Sequence, residues 1–221
     1  LRPLGIGIAV ITNASLIWRE DVREALMKAD RVSLKVDSAR RGIWRRVDRP
    51  HGKLSLSRIA DGARKFAKGY RGELATETML VEGINDGVEH LRGVVDVLAG
   101  LEPDTAYLAV PTRPPAERWV RSPKERVINL AYQIFSEKVD QVELLIGYEG
   151  NAFAFTGNAE EDLLSITAVH PMREDAVREF LARAMTDWSV VDRLIARGQI
   201  VELEYQEQRF YMRRLHKGNG R

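Results

Sequence analysis

Cysteine is absent from all 221 residues. Its absence excludes disulfides, thiolate metal sites and a cysteine nucleophile within this stretch of chain. Histidine is nearly as scarce, with four residues, at 51, 90, 170 and 216. No two of them have metal-ligand spacing, so a mononuclear zinc site is not expected. A Gly-x-Ser-x-Gly elbow and a Walker loop are also missing, which sets those enzyme classes aside. No apolar run approaches the roughly 20 residues of a membrane span, and nothing at the start resembles a signal peptide. The default expectation is a cytoplasmic protein with no membrane partner.

What is present begins with 44% hydrophobic residues, enough to bury a sizeable core. Formal net charge is only +2, but between Arg31 and Arg71 there are 13 Lys and Arg against 3 acids, a local balance of +10. Such a block suits phosphates or RNA. A solvated helix face in a charge-rich chain presents the same pattern.

Short apolar runs alternate with stretches of helical period, which predicts strands near 5–12, 31–37, 72–82, 104–112 and 141–147. Helices are predicted near 19–29, 54–69, 86–100 and 122–138, the alternation of parallel β/α units. For the last of these, Ser122 reads as N-cap, Pro123 as first helical residue and Glu125 as the capping-box acid. Beyond Gly157, helices near 161–169, 173–185 and 188–197 precede an alternating hairpin over 199–214. That order suggests a winged-helix module. The expected domains are therefore 1–155 and 156–215, joined through 147–157, with a basic, Gly-rich, disordered tail over 216–221.

Four predicted strand ends carry the polar residues that the carboxyl ends of parallel strands present to an active site. They read Ile11-Thr12-Asn13-Ala14-Ser15, Ser33-Leu34-Lys35-Val36-Asp37-Ser38, Thr78-Met79-Leu80-Val81-Glu82-Gly83-Ile84-Asn85-Asp86 and Pro111-Thr112-Arg113-Pro114. In this order they resemble the second part of a radical S-adenosylmethionine (SAM) enzyme. The branch they are most similar to holds iron-sulfur oxidoreductases related to pyruvate formate-lyase activating enzymes and wybutosine-forming tRNA enzymes. The resemblance covers about residues 5–155.

It implies an α/β fold: a partial parallel β/α barrel, entered at about the third strand and followed by the small winged-helix module. It also implies S-adenosylmethionine and a [4Fe-4S] cluster held by a CxxxCxxC loop, with an electron donor as partner. The implied reaction is reductive cleavage to a 5′-deoxyadenosyl radical that abstracts hydrogen from a substrate, RNA or protein among the candidates. This sequence departs at the decisive point, having no cysteine. The chain also begins at Leu1, with a strand almost at once. The simplest expectation is that the cluster segment lies upstream; the alternative is a protein that has lost its cluster.

Carried over strand by strand, the resemblance places Thr12, Asn13 and Ser15 beside the cofactor, with Ala14 where the family has Gly. An Asn-Ser turn capping the next helix is the competing reading. Lys35 and Asp37 are implied cofactor contacts, although alternation places them on one side, where they can simply pair. Glu77 sits in an apolar strand and needs a cation, with Lys35 or Arg113 the candidates. Pro111 and Thr112 end the last strand beside the cofactor. Arg113, stiffened by two prolines, suits a carboxylate or phosphate. Arg49 and His51 lie in a loop similar to one in this branch of the family, which implies contact with a substrate phosphate, a surface loop without contacts being the alternative; Asn85 or Asp86 is expected to cap the following helix.

Two other functions compete. One is a non-catalytic RNA- or protein-binding module using the 31–71 block and the winged helix; the other is a cluster-free barrel enzyme using Glu77 for acid-base or Lys35 for Schiff-base chemistry. From Arg173 onward ten basic residues face eight acids. That balance argues against tight duplex DNA binding.

Overall fold

The computed structural model describes residues 4–145 and 153–214. The chain divides into two compact units, one of Leu1–Pro111 with Glu117–Ile146, the other of Thr112–Ala116 with Gly147–Arg221. Part of the expected joining stretch, 147–152, and the tail 216–221 lie outside the described residues.

The first unit is built on strands β1 (Ala9–Thr12), β2 (Arg31–Lys35), β3 (Glu73–Met79), β4 (Thr105–Ala109) and β5 (Val142–Leu145). They pair in parallel, in the order β1-β2-β3-β4-β5. Sequential parallel strands with helices between them are right-handed crossover units, as in a partial β/α barrel. Period-two alternation sends Val32, Leu34, Leu74, Ala106, Leu108 and Val142 to one face of the sheet. There they meet Phe66 of α3 (Leu56–Gly69), Leu91 and Leu98 of α4 (Val88–Ala99), and Ile134 and Phe135 of α5 (Glu125–Ser136). The other face carries Ser33, Lys35, Glu77 and Tyr107. Among the described residues, the helices of this unit leave it open: Ile11, in register with Ser33, is 81% exposed.

All five strands and the four expected helices form, with shorter ends; the first helix is α1 (Glu20–Leu26). Two local expectations are corrected. A further helix, α2 (Arg41–Val47), folds in the basic stretch after β2 and buries Trp44. And α5 starts at Glu125 behind Lys124, not at Ser122, whose hydroxyl donates to the Pro123 carbonyl at 3.4 Å and caps nothing.

One glycine sets a close approach. A Cβ on Gly62 would lie 2.6 Å from both the Ile17 carbonyl oxygen and the Trp18 Cα. The α3 backbone thus packs directly on the turn that follows β1.

The second unit contains α6 (Ala159–Val169), β6 (Met172–Arg173), α7 (Glu174–Arg183), α8 (Ser189–Ala196), β7 (Ile200–Tyr205) and β8 (Gln208–Arg213). Its antiparallel sheet runs β6-β8-β7 around a core of Leu163, Met172, Phe180, Leu194 and Tyr211. The two-residue strand β6 is an addition to the sequence reading. Among the described residues, no helix is long and apolar enough to cross a membrane.

Candidate functional site

On the open face, register places Lys35, Glu77, Tyr107 and Glu143 in one row across β2 to β5. Lys35 Nζ lies 2.8 Å from Glu77 Oε1 and 3.6 Å from Asp37 Oδ1. Of the two cations expected for Glu77, Lys35 is the one that holds it. Burial disfavours the ammonium, but Asp37 and Glu77 together outweigh burial and raise the Lys35 pKa. Behind Lys35 along β2, Arg31 donates to the Tyr107 hydroxyl at 2.5 Å and pairs with Glu73 at 3.1 Å.

The polar layer at the strand ends is held by two side chains. Asp37, 2% exposed, accepts the Met79 N–H at 2.6 Å. Asn85, 1% exposed, accepts the Val81 N–H at 2.8 Å and donates to the carbonyls of Met79 and Asp37 at 2.8 and 3.0 Å. This corrects the expected capping role: the N-cap of α4 is Gly87, and Asn85 instead ties the ends of β2 and β3 together.

Sequence reasoning missed Asp48, which ends α2 and hydrogen bonds to the Asp37 carboxyl. Burial first, then the Asp37 charge and that hydrogen bond, push Asp48 up to about 8, while burial raises Asp37 as well. Three carboxyls, of Asp37, Asp48 and Glu77, face the single Lys35 ammonium. Both Asp37 and Asp48 are thus shifted toward the protonated form, and the two carboxyls titrate as a pair. Asn13, Lys35, Asp37 and Asp48 all line a cavity of about 650 Å³.

At the end of β1, the Thr12 hydroxyl accepts from Ala14 N at 3.1 Å and Asn13 Oδ1 accepts from Ser15 N at 3.0 Å. Ala14 stands at φ 55°, a left-handed conformation that glycine adopts without strain. The turn does not cap a helix, since α1 begins at Glu20 behind Arg19. Arg49 pairs with Glu117 at 2.5 Å, and the exposed His51 accepts from Lys53 N at 3.3 Å. Pro111 is buried in the first unit. Thr112 and Arg113 belong to the second, where Arg113 Nη1 lies 2.8 Å from His170 Nδ1. Much of the basic block is engaged locally: Arg58 and Arg46 stack 3.9 and 5.0 Å from the rings of Trp18 and Trp119, and Arg40 and Arg64 pair with Glu89 and Asp61.

No protein-family profile matches the chain. Among solved structures, a domain of a pyruvate-formate lyase-activating enzyme from Bacteroides vulgatus superposes with a TM-score of 0.53 at 19% identity, over 66% of this chain and 84% of that one. A radical SAM methyltransferase from Sphaerobacter thermophilus gives 0.52 at 15% identity, over 66% and 43%. The fold is therefore a radical SAM-like β/α fold. By sequence, a UPF0026 protein of Methanocaldococcus jannaschii is 42% identical over 217 residues, 97% of this chain and 68% of that relative. The chain belongs to the UPF0026 family. A further UPF0026 protein, from Helicobacter pylori strain J99, is 29% identical over 110 residues, and the alignment spans 35% of its length.

Proposed function

We propose that this chain is the cofactor-facing wall of a radical SAM enzyme. The observation that carries the reading is the position of the Lys35–Glu77 pair: at the carboxyl ends of sequential parallel strands, on the face the helices leave open. The radical SAM-like fold supports it. A [4Fe-4S] cluster does not fit these 221 residues, none of which is a cysteine, and no step is derived through it.

S-adenosylmethionine does fit the chemistry of the face. When bound, it supplies hydrogen-atom abstraction after one-electron reductive cleavage. Lys35 would meet its carboxylate and Glu77 its ammonium or a ribose hydroxyl, while Asp37, secluded behind them, fixes the Lys35 ammonium. Asn13 has used its carbonyl oxygen in the turn, so its amide hydrogens remain for the ligand. Thr12, Ser15, Pro111 and Thr112 complete the proposed cofactor contacts. Arg49 and His51 of the first unit, and separately Arg113 of the second, are proposed for anionic groups on an RNA or protein substrate, with an electron donor as further partner and the cytoplasm as location.

The second unit is proposed as a winged-helix module for protein contact or substrate shaping. Its element order, with the third strand lying between the other two, supports that reading.

Two experiments test the proposal. Calorimetric titration of S-adenosylmethionine into the chain is expected to saturate, and Glu77→Ala to weaken binding by about tenfold, the loss of one charged contact. Anaerobic iron-sulfide reconstitution of the full gene product is then expected to yield 5′-deoxyadenosine from the cofactor. No product from a cluster-loaded protein would overturn the enzyme reading.

A further inference from the structure

The 650 Å³ cavity beside β2 differs in character from the open face. Its walls include Leu34 from the core-facing side of β2, Trp44 of α2, Ile59 of α3 and Leu101 just after α4, all members of the apolar core. Its volume is that of a small-molecule site. Against this apolar wall stand the carboxyls of Asp37 and Asp48. Asp37 Oδ2 and Asp48 Oδ2 are shielded from solvent, and neither accepts a hydrogen bond from an N–H or from a hydroxyl group. The Asp37 side chain itself is fully secluded.

Counting charges identifies what is missing. The titratable groups here are Lys35 and Asp37 from β2 and its end, Asp48 and Arg41 from α2, Glu77 from β3 and Arg64 from α3. Arg64 is paired with Asp61, and Arg41 is exposed. Three carboxyls therefore surround the single Lys35 ammonium, and the Oδ2 atoms of Asp37 and Asp48 are left with no N–H or hydroxyl donor. We infer that the cavity binds a small protonated amine with an apolar body, its ammonium held between Asp37 and Asp48. The amine donates hydrogen bonds to the two Oδ2 atoms, the proton that the carboxyl pair keeps without it leaves to buffer, and no bond to carbon forms or breaks.

The cavity shares Asn13, Lys35 and Asp37 with the proposed cofactor wall, but the inference is drawn from its apolar lining and its secluded carboxyls and goes beyond that reading. The test is calorimetric titration of the chain with n-hexylamine, n-hexanol and n-hexanoate, run at pH 7 in two buffers of different ionisation enthalpy. Saturable binding of hexylamine is expected, with release of about one proton per site. Hexanol and hexanoate are expected to bind at least about thirtyfold more weakly, the loss of one secluded charge pair. Asp48→Asn, which keeps the shape and removes the charge, is expected to lower hexylamine affinity by a similar factor and to abolish proton release. The wild-type proton count requires no variant, so a folding defect in Asp48→Asn leaves the test intact. Equal binding of hexanol, hexylamine binding without proton release, or no saturation would each overturn the inference.

Discussion

Replacing Asn85 by Ala removes three hydrogen bonds at once, from a side chain 1% exposed. Each contributes about 1 kcal/mol net. Truncation also leaves the buried Val81 N–H without its acceptor, which costs about a further 1–2 kcal/mol because water cannot reach it. The expected loss is therefore about 4 kcal/mol, a large part of the roughly 5–15 kcal/mol that stabilises a typical domain. Urea unfolding followed by far-UV circular dichroism measures the total. Amide hydrogen exchange locates it, because the Val81 amide is expected to lose protection while β5, across the sheet, keeps it. Asn85→Asp sharpens the test: the introduced carboxylate still accepts from Val81 but faces two carbonyl oxygens with nothing to donate. It is expected to be at least as destabilising at pH 7 and to recover partly on acidification, when the carboxyl gains one donor. A loss below about 1 kcal/mol for Asn85→Ala, with Val81 still protected, would refute the claim that this side chain fastens the two strand ends.

Other expectations follow from single contacts. Asp48 rises from the ordinary 3.8 to about 8, so the native state binds more protons than the unfolded chain between those values; stability falls as pH rises across that window and levels off above it. Asp48→Asn is expected to flatten that decline, as read by urea midpoints between pH 5 and 9; an unchanged slope would reject the shared-proton account. Gly62→Ala and Gly42→Ala are expected to act in opposite directions. The first drives a methyl group into backbone at 2.6 Å and costs about 3 kcal/mol, while the second meets nothing within 4 Å and stabilises α2 by about 0.5–1 kcal/mol. Melting temperatures of both decide it, and a stabilised Gly62→Ala would mean that α3 and the turn sit farther apart. Lys35→Met strands Asp37 and Glu77 without their cation. It should cost about 3 kcal/mol at pH 7 and less at pH 4, where carboxyls protonate, in the same unfolding assay.

The β/α alternation was legible because burying one face of each strand and one stripe of each helix leaves periods of 2 and 3.6 in the order of residues. Strand ends were less legible because contacts distant in sequence set them. Past Met79, the chain is held by Asn85, and the Met79 amide itself goes to the Asp37 carboxylate. A seven-residue helix such as α2 offers only Ile43, Trp44 and Val47 as its apolar stripe, too few for a period to stand out among arginines and a glycine. The same divide runs through the candidate site. That Glu77 takes Lys35 was readable, since alternation places both on one face and a half-buried charge needs a partner. The role of Asp48 was not readable: within Arg45-Arg46-Val47-Asp48-Arg49 a lone carboxylate looks like charge balance. Only when α2 folds back over the end of β2 does that carboxylate leave the arginines and meet Asp37, where burial and the neighbouring carboxyl raise its pKa.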